Sequence, residues 1–188
     1  DKEYKQLYPT GSNPGLFYGT AKVHKLKKED DISKLTLRPI ISNIGTATYE
    51  LAKYLSRFLE PLSKNEYTIF NTLDLIDRLR NEEQIPPNYA LVSFDVQSIF
   101  TNVPLNRTLD IIMERIYKNN GIITDIPSKD LKNFLLLCTK EVHFQYDGSN
   151  YLQSDGVAMG SPLGPILANI FMTELELNVL PTIDNKII

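Results

Sequence analysis

The spacing of hydrophobic residues predicts five amphipathic helices. Apolar residues recur three or four positions apart over about residues 47–62, 71–80 and 104–117, from Ser128 onward, and from Ser161-Pro162 to about residue 177. Pro61 helps to end the first helix, Pro104 opens the third, and Ser128 is expected to cap the fourth. The inward-facing residues predicted for the first four are Leu51, Leu55, Phe58 and Leu59; Leu73, Ile76 and Leu79; Leu105, Leu109, Ile112 and Ile116; and Leu131, Phe134, Leu135 and Cys138.

Short β-favouring runs lie between these helices. Two basic runs, residues 19–28 and 35–42, flank an acidic loop and predict a hairpin, with the Pro39 strand at a sheet edge because proline cannot donate to a ladder. Residues 142–146 and 151–153 flank a turn that contains Gly148, which predicts a second hairpin. The apolar run at residues 90–94 predicts a buried strand that ends at Asp95.

Composition adds a boundary and a charge asymmetry. Residues 81–88 contain Pro86-Pro87 and are the predicted linker between two lobes of a 188-residue chain that is 42% hydrophobic. Residues 1–80 carry 13 Lys and Arg against 10 Asp and Glu, whereas residues 81–188 carry 7 against 13. This asymmetry suits an enzyme that grips polyanions with one lobe and holds cations with the other, although ordinary surface variation also produces it.

Several classes of protein are disfavoured by the residues that the chain lacks. With one cysteine, Cys138, it has no internal disulfide, which favours an intracellular protein with that thiol in the core. Two histidines, His24 and His143, do not make a Cys/His zinc cluster, and neither a P-loop nor a GxGxxG motif occurs. No signal peptide and no membrane-spanning run are expected, and the absence of an initial Met suggests a fragment.

Three features carry candidate chemistry. Asp95 at a strand end suits Mg2+, with a backbone oxygen such as that of Val96 beside it; the alternative is a turn former or helix cap. The cationic side chains of the first hairpin could meet phosphates, or could belong to an ordinary charged surface. The glycine-rich residues 155–165 allow a ligand to approach the backbone closely, as under a nucleotide or template base, but this signal is weak alone.

Taken together and in order, four segments resemble the reverse transcriptases, and within them the Penelope-like retroelement group. They span most of residues 16–172. The segments are Tyr18-Gly19-Thr20-Ala21-Lys22-Val23-His24-Lys25, Leu37-Arg38-Pro39-Ile40-Ile41-Ser42, Ser93-Phe94-Asp95-Val96-Gln97-Ser98-Ile99-Phe100-Thr101-Asn102-Val103-Pro104 and Asp155-Gly156-Val157-Ala158-Met159-Gly160-Ser161-Pro162-Leu163.

The resemblance implies an α+β, right-hand polymerase fold, with fingers at residues 1–88 and part of the palm at residues 89–188. It also implies an RNA-directed DNA polymerase that adds dNTPs to the 3′-hydroxyl of a DNA primer on an RNA template, using two Mg2+ ions in the intact protein. The life cycle of such elements implies nuclear localisation.

The resemblance further implies roles for individual residues. Asp95, with the backbone of Val96, corresponds to the catalytic metal site, and Phe100 to the aromatic ring that excludes a ribose 2′-hydroxyl. The fingers cations that hold the triphosphate correspond to Lys22 and Arg38, with Lys25 as a substitute for Lys22. The turn under the nascent base pair corresponds to residues 156–161, which include Gly156, Met159, Gly160 and Ser161.

The sequence departs from the family pattern at three points. Met159 stands where many reverse transcriptases have glutamine, and Gly164 stands where serine is frequent. No paired aspartates occur after Asp30-Asp31, and only Asp184 follows the glycine-rich segment, so the chain is expected to stop before the Asp-Asp motif and the thumb. With one metal carboxylate, it is expected to bind Mg2+ weakly and to be inactive alone. The alternatives are a non-catalytic, nucleic-acid-binding remnant and an unrelated α/β protein.

Overall fold

A computed structural model of the chain describes residues 5, 7–9, 11–23, 31–81, 92–119 and 121–183, and the statements below refer to them. The strands are β1 (Gly15–Ala21), β2 (Leu37–Ser42), β3 (His143–Tyr146) and β4 (Ser149–Leu152). The helices are α1 (Tyr49–Leu59), α2 (Thr72–Asn81), α3 (Ile99–Asn102), α4 (Leu105–Tyr117), α5 (Ser128–Thr139) and α6 (Leu163–Val179), with 3₁₀ turns at Ile32–Lys34, Glu60–Ser63 and Leu180–Thr182. This mixed architecture confirms the predicted α+β class.

The four strands form one mixed sheet in the order β2-β1-β3-β4. Strands β1 and β2 are antiparallel, as are β3 and β4, so both predicted hairpins are confirmed, although β1 begins at Gly15 rather than near residue 19. The second turn is the dipeptide Asp147-Gly148, and both residues have positive φ, as tight hairpin turns require. Pro39 lies on the edge strand β2, as predicted. A parallel pairing of β1 with β3 joins the two hairpins.

The main core lies where α1, α4, α5 and α6 pack together. The inward residues predicted for α4 are all buried, and so are Leu55 and Leu59 of α1. Cys138 of α5 is 1% exposed, and burial raises the pKa of its thiol to about 12, which confirms a core position. Helices from both sides of residue 88 share this core. The predicted linker, residues 81–88, lies outside the described residues except for Asn81, which is the last residue of α2.

Helix α6 is the central helix of this core. The stretch Leu163–Thr182 is long and apolar enough to cross a membrane by length and composition alone, a test that core helices also pass. Here Leu163, Leu167 and Ile170 are buried against other helices, chiefly α4 and α1. The apolar composition of α6 is therefore accounted for, in part, by packing.

Three details of the predicted helices are wrong. Leu73 of α2 is 70% exposed, and α2 has no buried residue, because periodicity marks an apolar side without specifying what covers it. Phe134 of α5 is 38% exposed rather than inward. Ser128 is the first residue of α5 instead of its cap; Pro127 precedes it and offers no side-chain hydrogen bond.

The predicted buried strand before Asp95 is also wrong over the part that the structure describes. Residues 92–96 are irregular, and Val92 and Phe94 are 73% and 95% exposed. A strand needs a neighbour for its N–H and C=O groups, and no described strand lies beside this segment. An apolar, β-favouring sequence is therefore insufficient here to form a strand.

A partly buried ion pair connects α4 to α6. The Arg115 guanidinium donates to the Leu62 carbonyl at 2.9 Å, to Thr173 Oγ1 at 3.1 Å and to Glu174 Oε2 at 2.7 Å. The hydrogen bond from Arg115 holds the pKa of Glu174 below its ordinary value, against the opposing effect of burial. The ionised form of Glu174 is thus favoured by folding.

Glu174→Gln is expected to remove part of the acid sensitivity of the fold. Because the folded pKa is depressed, the pair stabilises the protein above the unfolded-state pKa of about 4.3, and this contribution is lost as the pH falls through the folded pKa. In urea unfolding, the substitution should cost about 1–3 kcal/mol at pH 7 and progressively less as the pH falls below about 4. Glu114→Gln, at an exposed i,i+4 pair with Lys118, is the control and should cost under about 0.5 kcal/mol. Equal costs for both substitutions would contradict the assignment.

Candidate nucleotide-binding cleft

A cleft of about 650 Å³ opens where three separate stretches of chain converge. Lys22 follows β1, residues 37–39 belong to β2, and residues 95–101 run from the exposed segment into α3. Met159, from the glycine-rich segment before α6, completes the wall. The cleft therefore joins a basic hairpin to the segment that bears Asp95.

The β1–β2 hairpin supplies the cations of the cleft. Thr20 is paired with Arg38 across the two strands, and the Lys22 N–H donates to the Thr36 carbonyl at 2.9 Å. Neither side chain has an ion-pair or hydrogen-bond partner among the described residues. Both positive charges are therefore available to an anion in the cleft. Lys25, the predicted substitute for Lys22, lies outside the described residues.

Asp95 is the carboxylate of the cleft. It is exposed and makes no ion pair or hydrogen bond within the described part of the chain, and Val96 beside it is 46% exposed. No cluster of three or more His, Cys, Asp or Glu suited to a metal ion occurs among the described residues. One such carboxylate fits a Mg2+ ion whose coordination shell is completed by waters and substrate phosphates. It does not fit a cation that is held by protein ligands alone.

A tight turn connects Asp95 to Phe100. Ser98 has a left-handed backbone, with φ of 52° and ψ of 42°. Its carbonyl accepts hydrogen bonds from Thr101 N at 3.1 Å, Thr101 Oγ1 at 3.0 Å and Asn102 Nδ2 at 3.0 Å. The sequence predicted no individual role for Ser98, Thr101 or Asn102. The available signal was the cluster of short polar side chains, which commonly bond to neighbouring backbone groups.

Phe100 is held against the glycine-rich segment. The Val157 N–H donates to the Phe100 carbonyl at 2.8 Å. Gly156 has φ of +70°, and a Cβ there would lie 2.8 Å from the same carbonyl. Gly164 lies beside the aromatic ring, since a Cβ there would be 3.6 Å from two ring carbons. That distance is ordinary van der Waals contact, and the tight approach at Gly164 is instead to the Ala158 carbonyl oxygen, 3.0 Å from such a Cβ.

The glycine-rich segment also contacts β2. The Ile41 N–H donates to the Met159 carbonyl at 2.9 Å. Gly160 has φ of +125°, and a Cβ there would overlap the Ile41 carbonyl oxygen. Ser161 Oγ accepts from the Leu163 N–H at 3.3 Å, which is consistent with the predicted helix start. Two backbones therefore approach so closely that residue 160 has to be glycine.

A second cleft of about 430 Å³ adjoins the first. Phe100 and Met159 line both, and Gly160 and Ser161 line only the second. Six of the candidate residues therefore share the first cleft, namely Lys22, Arg38, Asp95, Val96, Phe100 and Met159. Gly156 is not brought there, because it is buried against α3. These observations give the position of each candidate residue; the role of each residue stays a prediction.

Comparison with protein families agrees with this arrangement. The family model described as "Reverse transcriptase (RNA-dependent DNA polymerase)" matches residues 26–188. The chain belongs to the reverse transcriptase family, and its activity class by family is RNA-directed DNA polymerase. Members of this family generally use Mg2+ and bind a template and a primer. A comparison with curated proteins finds no match.

Proposed function

We propose that this chain forms the nucleotide-binding part of a retroelement reverse transcriptase of the Penelope-like group. In the intact protein it would add dNTPs to the 3′-hydroxyl of a DNA primer on an RNA template. The observation that supports the proposal best is the shared cleft, which combines the cations Lys22 and Arg38 with the carboxylate of Asp95 and the ring of Phe100. None of the three charged side chains has a partner in the part of the chain that the structure describes.

In this proposal the residues of the cleft have different roles. Lys22 and Arg38 bind the triphosphate, and Asp95 with the Val96 carbonyl would hold Mg2+. The chemistry that two bound Mg2+ ions supply is activation of the primer hydroxyl and stabilisation of the leaving pyrophosphate. Phe100 excludes a ribose 2′-hydroxyl by steric overlap, and packing of this partly buried side chain against the core restricts its movement.

The second cleft supports the nascent base pair in this proposal. Met159 and Gly160 present backbone and a flexible side chain beside Phe100, where a base can approach closely. The fingers would correspond to residues 1–88 and the palm to residues 89–188.

The 188-residue chain alone is proposed to bind Mg2+ weakly and to leave a primer unextended. Among the described residues, Asp95 is the one acidic residue that lines the cleft, and affinity for hard cations depends on how many charged oxygens converge. This same observation favours a second candidate, a non-catalytic remnant that binds nucleic acid through phosphate contacts. The remnant would bind RNA with a steep salt dependence and would show no Mg2+-dependent preference for dNTPs.

Arg38→Ala is expected to weaken dNTP binding at least tenfold, the effect of losing one charge-assisted contact to phosphate. Binding of a fluorescent dNTP in Mg2+, followed by anisotropy, measures it. Arg80→Ala is the matched control, because Arg80 is 77% exposed on α2 and is not in the cleft. If both variants bind the dNTP as wild type does, or if no Mg2+-dependent binding occurs at all, the proposed nucleotide site is wrong.

A further inference from the structure

We propose that Asn102 is a positioning residue of the nucleotide site. It holds the turn at Ser98 and thereby fixes the carboxylate of Asp95 relative to the ring of Phe100. The inference rests on the proposed function, and it concerns a residue outside the lining of the cleft. Asn102 would thus influence both metal binding and sugar selection without touching the nucleotide.

The turn at Ser98 has a conformation that serine disfavours. A positive φ is uncommon for residues other than glycine, and it persists where surrounding contacts enforce it. Helix α3 has four residues, too few to be stable by its own hydrogen bonds. The enforcement comes instead from side chains: Asn102 Nδ2 donates to the Ser98 carbonyl at 3.0 Å and reaches the Gln97 carbonyl at 3.4 Å. Thr101 Oγ1 supplies the third side-chain contact, to Ser98.

The two sides of the turn differ in how they are held. On the C-terminal side, Phe100 is fixed by the hydrogen bond from Val157, and Val103 is 2% exposed. On the N-terminal side, residues 92–96 are irregular and exposed, and Asp95 has no side-chain partner within the described part of the chain. Rotation about the Ser98 backbone therefore moves Asp95 while Phe100 stays in place. The turn is the element that sets their relative position.

This arrangement explains why an exposed asparagine would affect nucleotide selection. In the proposed site, the triphosphate and its metal bind on the Asp95 side of the turn, and the sugar contacts Phe100 on the other side. If the turn relaxes, a nucleotide bound through Asp95 no longer presents its 2′ position to the ring. Discrimination against ribonucleotides then falls even though both contacting side chains are intact.

The test compares wild type with Asn102→Ala, Asn102→Asp and the double variant Asn102→Ala/Ser98→Gly. The first readout is the ratio of dissociation constants for a fluorescent rNTP and the matching dNTP in Mg2+. The second readout is hydrogen exchange at the Thr101 amide, which is bonded to Ser98, and at the Val157 amide, which is bonded to Phe100. Asn102→Asp keeps the size of the side chain but replaces the donor with an acceptor that repels the two carbonyls.

For both single variants we expect the rNTP-to-dNTP ratio to fall about three- to tenfold, the range set by one hydrogen bond. Exchange at Thr101 should rise by a similar factor, with exchange at Val157 unchanged. Glycine adopts a positive φ without penalty, so Ser98→Gly should restore both readouts in the Asn102→Ala background. A purely structural role of Asn102 would change exchange and stability but leave the ratio at its wild-type value.

Phe100→Ala separates failure of the inference from failure of the proposed function. If Phe100→Ala abolishes discrimination and the Asn102 variants do not change it, the proposed function stands and the positioning role is wrong. If Ser98→Gly fails to restore the ratio, the turn is not the route by which Asn102 acts, and the inference is overturned. If wild type itself shows no Mg2+-dependent preference for dNTP, both the site and the positioning role are wrong.

Discussion

Replacing Gly160 with alanine is expected to lower the free energy of unfolding by about 3 kcal/mol or more, through backbone strain and steric overlap together. At φ of +125°, residue 160 adopts a conformation that L side chains rarely accept, and the added Cβ would overlap the Ile41 carbonyl oxygen. Relief requires the glycine-rich segment to separate from β2, which breaks the hydrogen bond from Ile41 N–H to the Met159 carbonyl. Nucleotide binding should weaken in parallel, because Met159 and Arg38 would no longer face the same cleft.

Gly148→Ala is the matched control for this experiment. Gly148 also has a positive φ, +73°, but nothing lies within 4 Å of a Cβ built there. Its substitution therefore measures the conformational penalty alone, about 1 kcal/mol. Urea unfolding of both variants shows how far the loss at Gly160 exceeds the penalty of a left-handed backbone without steric overlap. Equal losses of stability would show that the Gly160 segment can move away from β2 at little cost.

The glycine-rich segment explains how residues far apart in sequence come to share one cleft. Through Met159 and Gly160 it contacts β2, which carries Arg38, and through Gly156 and Val157 it contacts α3, which carries Phe100. Its own end leads into α6, the central helix of the core. The basic hairpin and the α3 turn are thus joined through a third element that is fixed to the core.

The elements that were predicted correctly depend on local chemistry. The period of α4 identifies its buried residues because the helix is covered along that whole side, as its 0–6% exposed apolar positions show. Asp147-Gly148 specifies a two-residue hairpin turn by its tolerance of positive φ. The reverse transcriptase family was predicted through an ordered resemblance, and residues 26–188 match that family; the roles of the cleft residues stay predictions.

The parts that were missed depend on contacts between distant segments. The parallel pairing of Gly15 with Phe144 joins two hairpins through residues 129 positions apart, and no sequence period encodes such a pairing. The run ending at Asp95 has the composition of a buried strand, yet Phe94 is almost fully exposed, because burial depends on a neighbouring strand. Gly156 belongs to the right segment but faces α3, since only the fold decides which glycine of that segment adjoins a ligand.

Asp95→Asn is expected to remove the Mg2+ dependence of dNTP binding almost completely. The substitution keeps the size of the side chain and removes the one carboxylate found among the described residues that line the cleft. Because Lys22 and Arg38 remain, the triphosphate should still bind weakly, but adding Mg2+ should no longer strengthen binding, whereas in wild type it should do so by about tenfold or more. The measurement is anisotropy of a fluorescent dNTP in Mg2+ and in EDTA.

Asp125→Asn serves as the control, since Asp125 is exposed, lies outside the cleft and has no ion pair or hydrogen bond among the described residues. It should leave the response to Mg2+ unchanged.

The same pair of variants also separates the two candidate functions. A remnant that binds nucleic acid through phosphate contacts would gain affinity for RNA when the negative charge at residue 95 is removed, and it would show no loss of a Mg2+ effect. In a polymerase site, the same substitution instead removes the Mg2+ dependence of dNTP binding. Without Mg2+ the carboxylate of Asp95 repels the phosphates, whereas with Mg2+ it holds the ion to which the phosphates bind.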